Sequence, residues 1–209
     1  MNEANSVEYQ DFIDKYVRKD TKSYRILKAI LRPIAWLLYR PKIHGKENVP
    51  VTGPALIAGN HRFLADPAFI CLSTDRVVHY LAKKELHDGK LGFFFRWAHT
   101  IPVDRSGKAH NSMEASKVLL NDGHLIGIFP EGTRNKVNKG GLLPFKFGAV
   151  KMAQDTGAPI VPVGMQGGEI PILKSVRVYI GEPYYIAKDA DLEEENEKLR
   201  NKILELMKR

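Results

Sequence analysis

The chain has 209 residues, 44% hydrophobic and 27% charged, a balance that belongs to a folded domain and excludes a mostly disordered polypeptide. One core of this size folds without cross-links, and a single cysteine, Cys71, excludes an internal disulfide and a cysteine-based zinc cluster and suits a reducing cytosol. The 32 Lys and Arg against 24 Asp and Glu leave a net charge of +8, which favours an anionic partner: nucleic acid, a phospholipid surface or a phosphorylated substrate.

The first residues, MNEANSVEYQDF, are polar and carry acids, so they are not read as a secretory leader. From Lys15 to Lys46, ten Lys and Arg stand against Asp20 alone, a local charge of +9. At about 100° per residue, Ile26, Leu37, Ile30, Ile34, Leu27, Leu38 and Leu31 span one side of a helix, while Lys28, Arg32 and Arg25 share the other. Trp36 and Tyr39 flank the apolar side, the pattern of a helix lying in a membrane interface. The same stripe could instead dock on its own domain. Pro33 lacks an amide donor and predicts two short helices with a bend. Ile26 to Tyr39 is the longest apolar stretch at 14 residues, interrupted by Lys28, Arg32 and Pro33. A spanning helix needs about 20, so no transmembrane segment is predicted. Zinc-finger spacing and an RNP-type aromatic strand are both missing, so no nucleic-acid partner is expected.

Beyond Lys42 the chain alternates apolar runs with helical patterns. Strands are predicted at Ala55–Ala58, Val77–Ala82, Ile101–Val103, Leu125–Phe129, Ile160–Val163 and Ser175–Ile180. Helices are predicted at Pro67–Ser73, Gly92–Ala98, Lys108–Asn121, Phe145–Asp155 and Asp191–Met207. This order predicts an α/β fold, a mixed, mostly parallel sheet flanked by helices, with an N-terminal amphipathic helical region. Residues 1–44 read as that membrane-docking region and 45–209 as one catalytic domain.

The sequence has no G-x-S-x-G, Walker A, G-x-G-x-x-G or H-E-x-x-H motif, which argues against those hydrolase, nucleotide and zinc chemistries. The remaining candidates are turns at strand ends. In Asn60-His61-Arg62-Phe63-Leu64-Ala65-Asp66-Pro67, His61 and Asp66 would stand about 140° apart on one continuous helix. Across a strand–turn–helix they can meet, with Asp66 at the helix N-cap and Pro67 first in the helix. Either Asp66 only caps, or it fixes the imidazole tautomer and leaves the other nitrogen to take a proton. Arg105, after Ile101-Pro102-Val103-Asp104, is either a surface charge or a phosphate clamp. In Phe129-Pro130-Glu131-Gly132-Thr133-Arg134, a plain turn competes with a ligand site. There Gly132 would admit backbone amides, Glu131 would accept from a substrate hydroxyl and Arg134 would add charge. Ile160-Val161-Pro162-Val163 reads as core, preceded by Phe145-Lys146-Phe147-Gly148-Ala149 on a helix.

Taken in order, H-x-x-x-x-D at 61–66, V-D-R at 103–105, F-P-E-G-T-R at 129–134 and V-P-V at 161–163 resemble the glycerolipid acyltransferase superfamily, nearest the 1-acylglycerol-3-phosphate acyltransferase type. The lead-in His44-Gly45-Lys46-Glu47-Asn48-Val49-Pro50 extends the resemblance to about residues 40–185. It implies His61 as general base and Asp66 as its orienter. It also implies Arg105 on the acceptor phosphate, Glu131, Gly132, Thr133 and Arg134 around the acceptor, and Pro162 towards the acyl donor. Lys146 has no firm counterpart role in the resemblance and is read here as a further phosphate contact. His99 stands near the place where the second block usually opens with glycine. The implied reaction carries an acyl group from a thioester, acyl-CoA or acyl carrier protein, to a lysophospholipid hydroxyl, with no metal or cofactor. The setting would be the cytoplasmic face of the cell membrane. Glycerol 3-phosphate or another lysolipid as acceptor, and a non-catalytic anionic-lipid module, are the alternatives.

Overall fold

The computed structural model describes residues 13–14, 21–103, 109–137, 141–167 and 175–209. Seven strands form one sheet: β1 Lys42–His44, β2 Ala55–Gly59, β3 Val78–Lys83, β4 Ile101–Val103, β5 Leu125–Ile128, β6 Ile160–Gly167 and β7 Val176–Ile180. Their order is β1-β7-β6-β2-β5-β3-β4. All pairings are parallel except β6 with β7, where Val163 stands opposite Ile180. The mixed, mostly parallel sheet flanked by helices is therefore present. The short β1 and the helix Lys84–Asp88 were not predicted; three and five residues are too few for a periodicity to register.

Helices cover both faces. On one lie α1 Thr21–Tyr39 and α2 Asp66–Cys71; α3 Lys84–Asp88 and α4 Gly92–Trp97 follow β3; α5 Ala109–Asn121, α6 Gly148–Thr156 and α7 Leu192–Leu206 cover the other face. Alternation along β2 feeds the two cores. Leu56 and Ala58 point to the cluster with Leu119, Met152 and Ile203, while Ala55 and Ile57 point to the cluster with Ala35, Phe69 and Val78. Every residue of β2 is buried, which is why its sequence runs apolar without polar breaks. Burying one Leu or Ile side chain contributes roughly 1.5–3 kcal/mol, so the central strands dominate the favourable side of folding. Asp191, read from sequence as the first helical residue, is instead the N-cap of α7, accepting from the amides of Glu193 at 2.8 Å and Glu194 at 3.0 Å.

The bend predicted at Pro33 is absent as a break: α1 runs uninterrupted through it. Proline deprives the Ala29 carbonyl of its donor, but both residues are exposed, so water can take the bond. Tyr24 and Ala35, on either side of Pro33, are buried and hold both ends of the helix to the domain. The outer stripe stays uncovered: Ile26, Ile30, Ile34, Trp36 and Leu37 are all exposed.

Gly127 in β5 leaves room that a side chain would fill. A Cβ there would lie 2.3 Å from the Tyr80 ring. That ring stacks on Phe129 at 5.4 Å and 19°. Gly127→Ala is expected to cost about 1–3 kcal/mol through overpacking, read as a lower urea midpoint at unchanged slope. An unaltered midpoint would show that the Tyr80 ring yields freely.

Candidate active site

In the parallel pair of β2 and β5, Ala58 stands opposite Ile128. The two strands thus deliver their following turns side by side at the carboxyl edge of the sheet, the edge where open α/β folds place ligands. Asn60, first after β2, is locked to β6: its side chain donates to the Met165 carbonyl at 3.0 Å and accepts from the Met165 amide at 2.7 Å. The next residue is His61.

Asp66 does not occupy the predicted cap. Ala65 holds that position and Asp66 is the first helical residue of α2, its carboxylate folded back over the turn. Oδ2 accepts from His61 Nδ1 at 2.9 Å, from the Arg62 amide at 2.6 Å and from the Phe63 amide at 2.8 Å. Three donors on one oxygen hold a carboxylate that is only 2% exposed and would otherwise be costly to bury. The five-residue spacing that one continuous helix would have split is closed by the turn. With its Nδ1 proton directed at Asp66, His61 keeps Nε2 as the basic nitrogen. The imidazole lies on Phe129, centroids 4.1 Å apart at 14°, and its side chain remains 18% exposed.

Glu131 takes a different part from the one its sequence context suggested. It is 4% exposed, and its oxygens turn to the chain: Oε1 accepts from the His61 amide at 2.9 Å and Oε2 from the Leu143 amide at 2.8 Å. Burial pushes its carboxyl above the ordinary value, against the lowering effect of those amides. The Asn135 amide donates to the His61 carbonyl at 2.7 Å. Both backbone groups of His61 are therefore tied to the 129–143 segment. Asn60, Phe129 and Asn135 were not given a role from sequence; Asn60 directly precedes the 61–66 motif, Phe129 opens the 129–134 motif, and Asn135 carries no signal beyond its adjacency to Arg134.

Gly132 adopts φ 66°, the left-handed region that favours glycine. The aliphatic end of Lys146 lies across it, with Cε 2.8 Å from where a Cβ would stand. Lys146 precedes α6 rather than lying within it, and its amide donates to the Pro130 carbonyl at 2.9 Å. Lys146, Thr133 and Arg134 are exposed, and neither cation has an ion-pair partner among the described residues. Arg105 lies outside the described residues; β4, which precedes it, runs parallel to β3 and ends at the same edge of the sheet. Pro162 is buried in β6 opposite Ala58. His99 has φ 54°, the left-handed region that glycine adopts without strain. Among the described residues no group of three or more His, Cys, Asp or Glu side chains could hold a metal ion.

A carboxylate-oriented imidazole at the carboxyl edge of an α/β sheet, tied to a segment that bears exposed cations, is an arrangement that can serve as a general base towards an anionic substrate. Comparisons with known proteins narrow the class. Residues 40–166 match the acyltransferase family model. A 1-acyl-sn-glycerol-3-phosphate acyltransferase of Bacillus subtilis is 34% identical over 175 residues, 81% of this chain and 86% of that protein. The alpha enzyme of that name from Mus musculus is 31% identical over 70% of this chain, which spans about half (53%) of the mouse protein. The crystal structure of the 1-acyl-sn-glycerophosphate acyltransferase of Thermotoga maritima matches with a TM-score of 0.71 over 98% of this chain and 88% of that one, at 22% identity, and shares the fold. The chain belongs to the glycerolipid acyltransferase family.

Proposed function

We infer that the chain transfers a fatty acyl group from a thioester to the free hydroxyl of 1-acylglycerol 3-phosphate, forming phosphatidic acid for phospholipid synthesis. The observation that carries this reading is the His61–Asp66 pair at 2.9 Å, set in a chain that covers 86% of the Bacillus relative. His61 Nε2 takes the hydroxyl proton as the oxygen attacks the thioester carbonyl, and Asp66 stabilises the imidazolium that forms. The thiolate departs without a strong general acid. Arg134 and Lys146, joined by Arg105, attract the acceptor phosphate and set which hydroxyl meets the base. Acyl-CoA or acyl carrier protein supplies the acyl group. Incubating the purified chain with lysophosphatidic acid and a panel of acyl thioesters should give phosphatidic acid by mass. Acylation of glycerol 3-phosphate or of another lysolipid in its place would replace this acceptor.

The acceptor's acyl chain requires chemistry at a lipid boundary, and we place the protein peripherally on the cytoplasmic face of the cell membrane. No helix among the described residues is long and apolar enough to cross a membrane. Support comes from the outer stripe of α1, where Trp36 and Leu37 are each 66% exposed and Ile30 is 53% exposed, beside Arg25 and Arg32. Because Tyr24 and Ala35 belong to the folded interior, point substitutions test docking better than removal of the first forty residues. Ile30→Ser, Trp36→Ser and Leu37→Ser together should weaken cosedimentation with anionic vesicles by about tenfold or more while Tm hardly moves. Undiminished pelleting would rule out α1 as the docking element.

A further inference from the structure

At the amino ends of the parallel strands, on the edge opposite His61, a cavity of about 710 Å³ opens between α1 and the residues that lead into β3 and β5. This is the size of pockets that hold small ligands, about 300–1,000 Å³. Its wall carries Arg25, Lys28, Arg32 and Arg76 against one carboxylate, Asp75. The first three recur at spacings of three and four and form one stripe of α1. Lys28 donates to the Thr74 carbonyl and Asp75, and Arg76 donates to the carbonyls of Pro50 at 2.8 Å and Gly123 at 2.6 Å. Arg25 and Arg32 have no side-chain partner among the described residues. Like charges on successive turns repel, and the one carboxylate in the wall, Asp75, pairs with Lys28 and leaves Arg25 and Arg32 without a counter-charge.

The fully buried His79 also lines this cavity. Its Nδ1 donates to the His99 carbonyl at 2.9 Å, and its Nε2 has no hydrogen-bond partner. A buried nitrogen without a partner is uncommon in a folded protein. We propose that this cavity binds a phosphate ester, with the phosphate held by Arg25, Arg32 and Lys28 and the rest of the ligand lying towards His79. The site is separate from the acceptor phosphate contacts near His61 and does not depend on the acyl-transfer reading. Guanidinium forks suit phosphate oxygens. The ligand is either free in solution or the headgroup of an anionic phospholipid, which the neighbouring apolar stripe of α1 would bring alongside.

The test follows the ring resonances of His79 and His61 in the full chain by NMR. One arm titrates sn-glycerol 3-phosphate; the other titrates bicelles containing phosphatidylglycerol, with pure phosphatidylcholine bicelles as blank. Saturable movement of the His79 signals is the expected result. The double variant Arg25→Gln/Arg32→Gln, at two exposed positions, should weaken that Kd by about tenfold or more while leaving the response of His61 to sn-glycerol 3-phosphate as it was. Movement with glycerol phosphate assigns a free ester, and movement with phosphatidylglycerol alone assigns a headgroup. His79 signals that stay still in both arms, with or without movement at His61, overturn the site, as does a Kd that the double variant leaves unchanged.

Discussion

His61→Ala should lower turnover by about 10²–10⁴-fold while the protein stays folded and still binds lysophosphatidic acid. The proton acceptor is lost together with one of the three donors to Asp66 and the stack on Phe129, but the backbone bonds that tie His61 to Glu131 and Asn135 do not use the side chain. Asp66→Asn should behave differently. The amide presents a donor or a weaker acceptor where His61 Nδ1, the Arg62 amide and the Phe63 amide converge. It should therefore lower kcat and also cost about 1–3 kcal/mol of stability, because buried amides lose a charged acceptor. Steady-state kinetics with urea melts of both variants separates the roles. A His61→Ala protein within a few-fold of wild-type turnover would remove the base from the mechanism and leave positioning of donor and acceptor to carry the rate.

Acid should unfold this protein early. Burial, reinforced by His124, His99 and Arg76, pulls His79 down to about 3 against its bond to the His99 carbonyl. Burial and then Arg96 pull His87 down to about 4, from an ordinary value of 6.5, with Asp88 opposing. Both histidines are neutral in the fold and become protonated in the unfolded chain below pH 6.5. Their favourable contribution is complete above that value and drains away as pH falls towards the folded values. Each contributes at most about 1.4 kcal/mol per pH unit, so the pair should cost about 2 kcal/mol or more per unit between pH 6 and 5. Against a total stability of roughly 5–15 kcal/mol, that brings unfolding into mild acid. Urea melts across pH 7.5 to 5 measure the slope. His79→Asn, whose amide can still reach the His99 carbonyl, should remove about half of it. A flat profile would mean that neither histidine is held neutral.

Much of the candidate site was legible because motifs at strand ends keep chain order while the sheet gathers them. The parallel pairing of β2 with β5 converts two turns far apart in sequence into neighbours, and apolar runs without polar breaks marked both strands as buried. What stayed hidden depends on partners remote in the chain. Pro33 reads locally as a breaker, but the interior holds α1 at Tyr24 and Ala35. Asp66 reads as a cap beside Pro67, and only the path of the turn shows its carboxylate facing backwards. Glu131 looks like a group offered to ligand, and only the position of Leu143 shows it facing the chain. No spacing rule announces that Gly127 exists to admit the Tyr80 ring.

The bonds from Glu131 and Asn135 to the main chain of His61 weld the proton acceptor to the segment that bears Arg134 and leads towards Lys146. In the proposed mechanism, head-group preference and reactivity consequently share one mechanical unit. Reshaping the 131–146 stretch for a bulkier or differently charged acceptor would drag the imidazole with it, so selectivity could not be retuned here without altering speed.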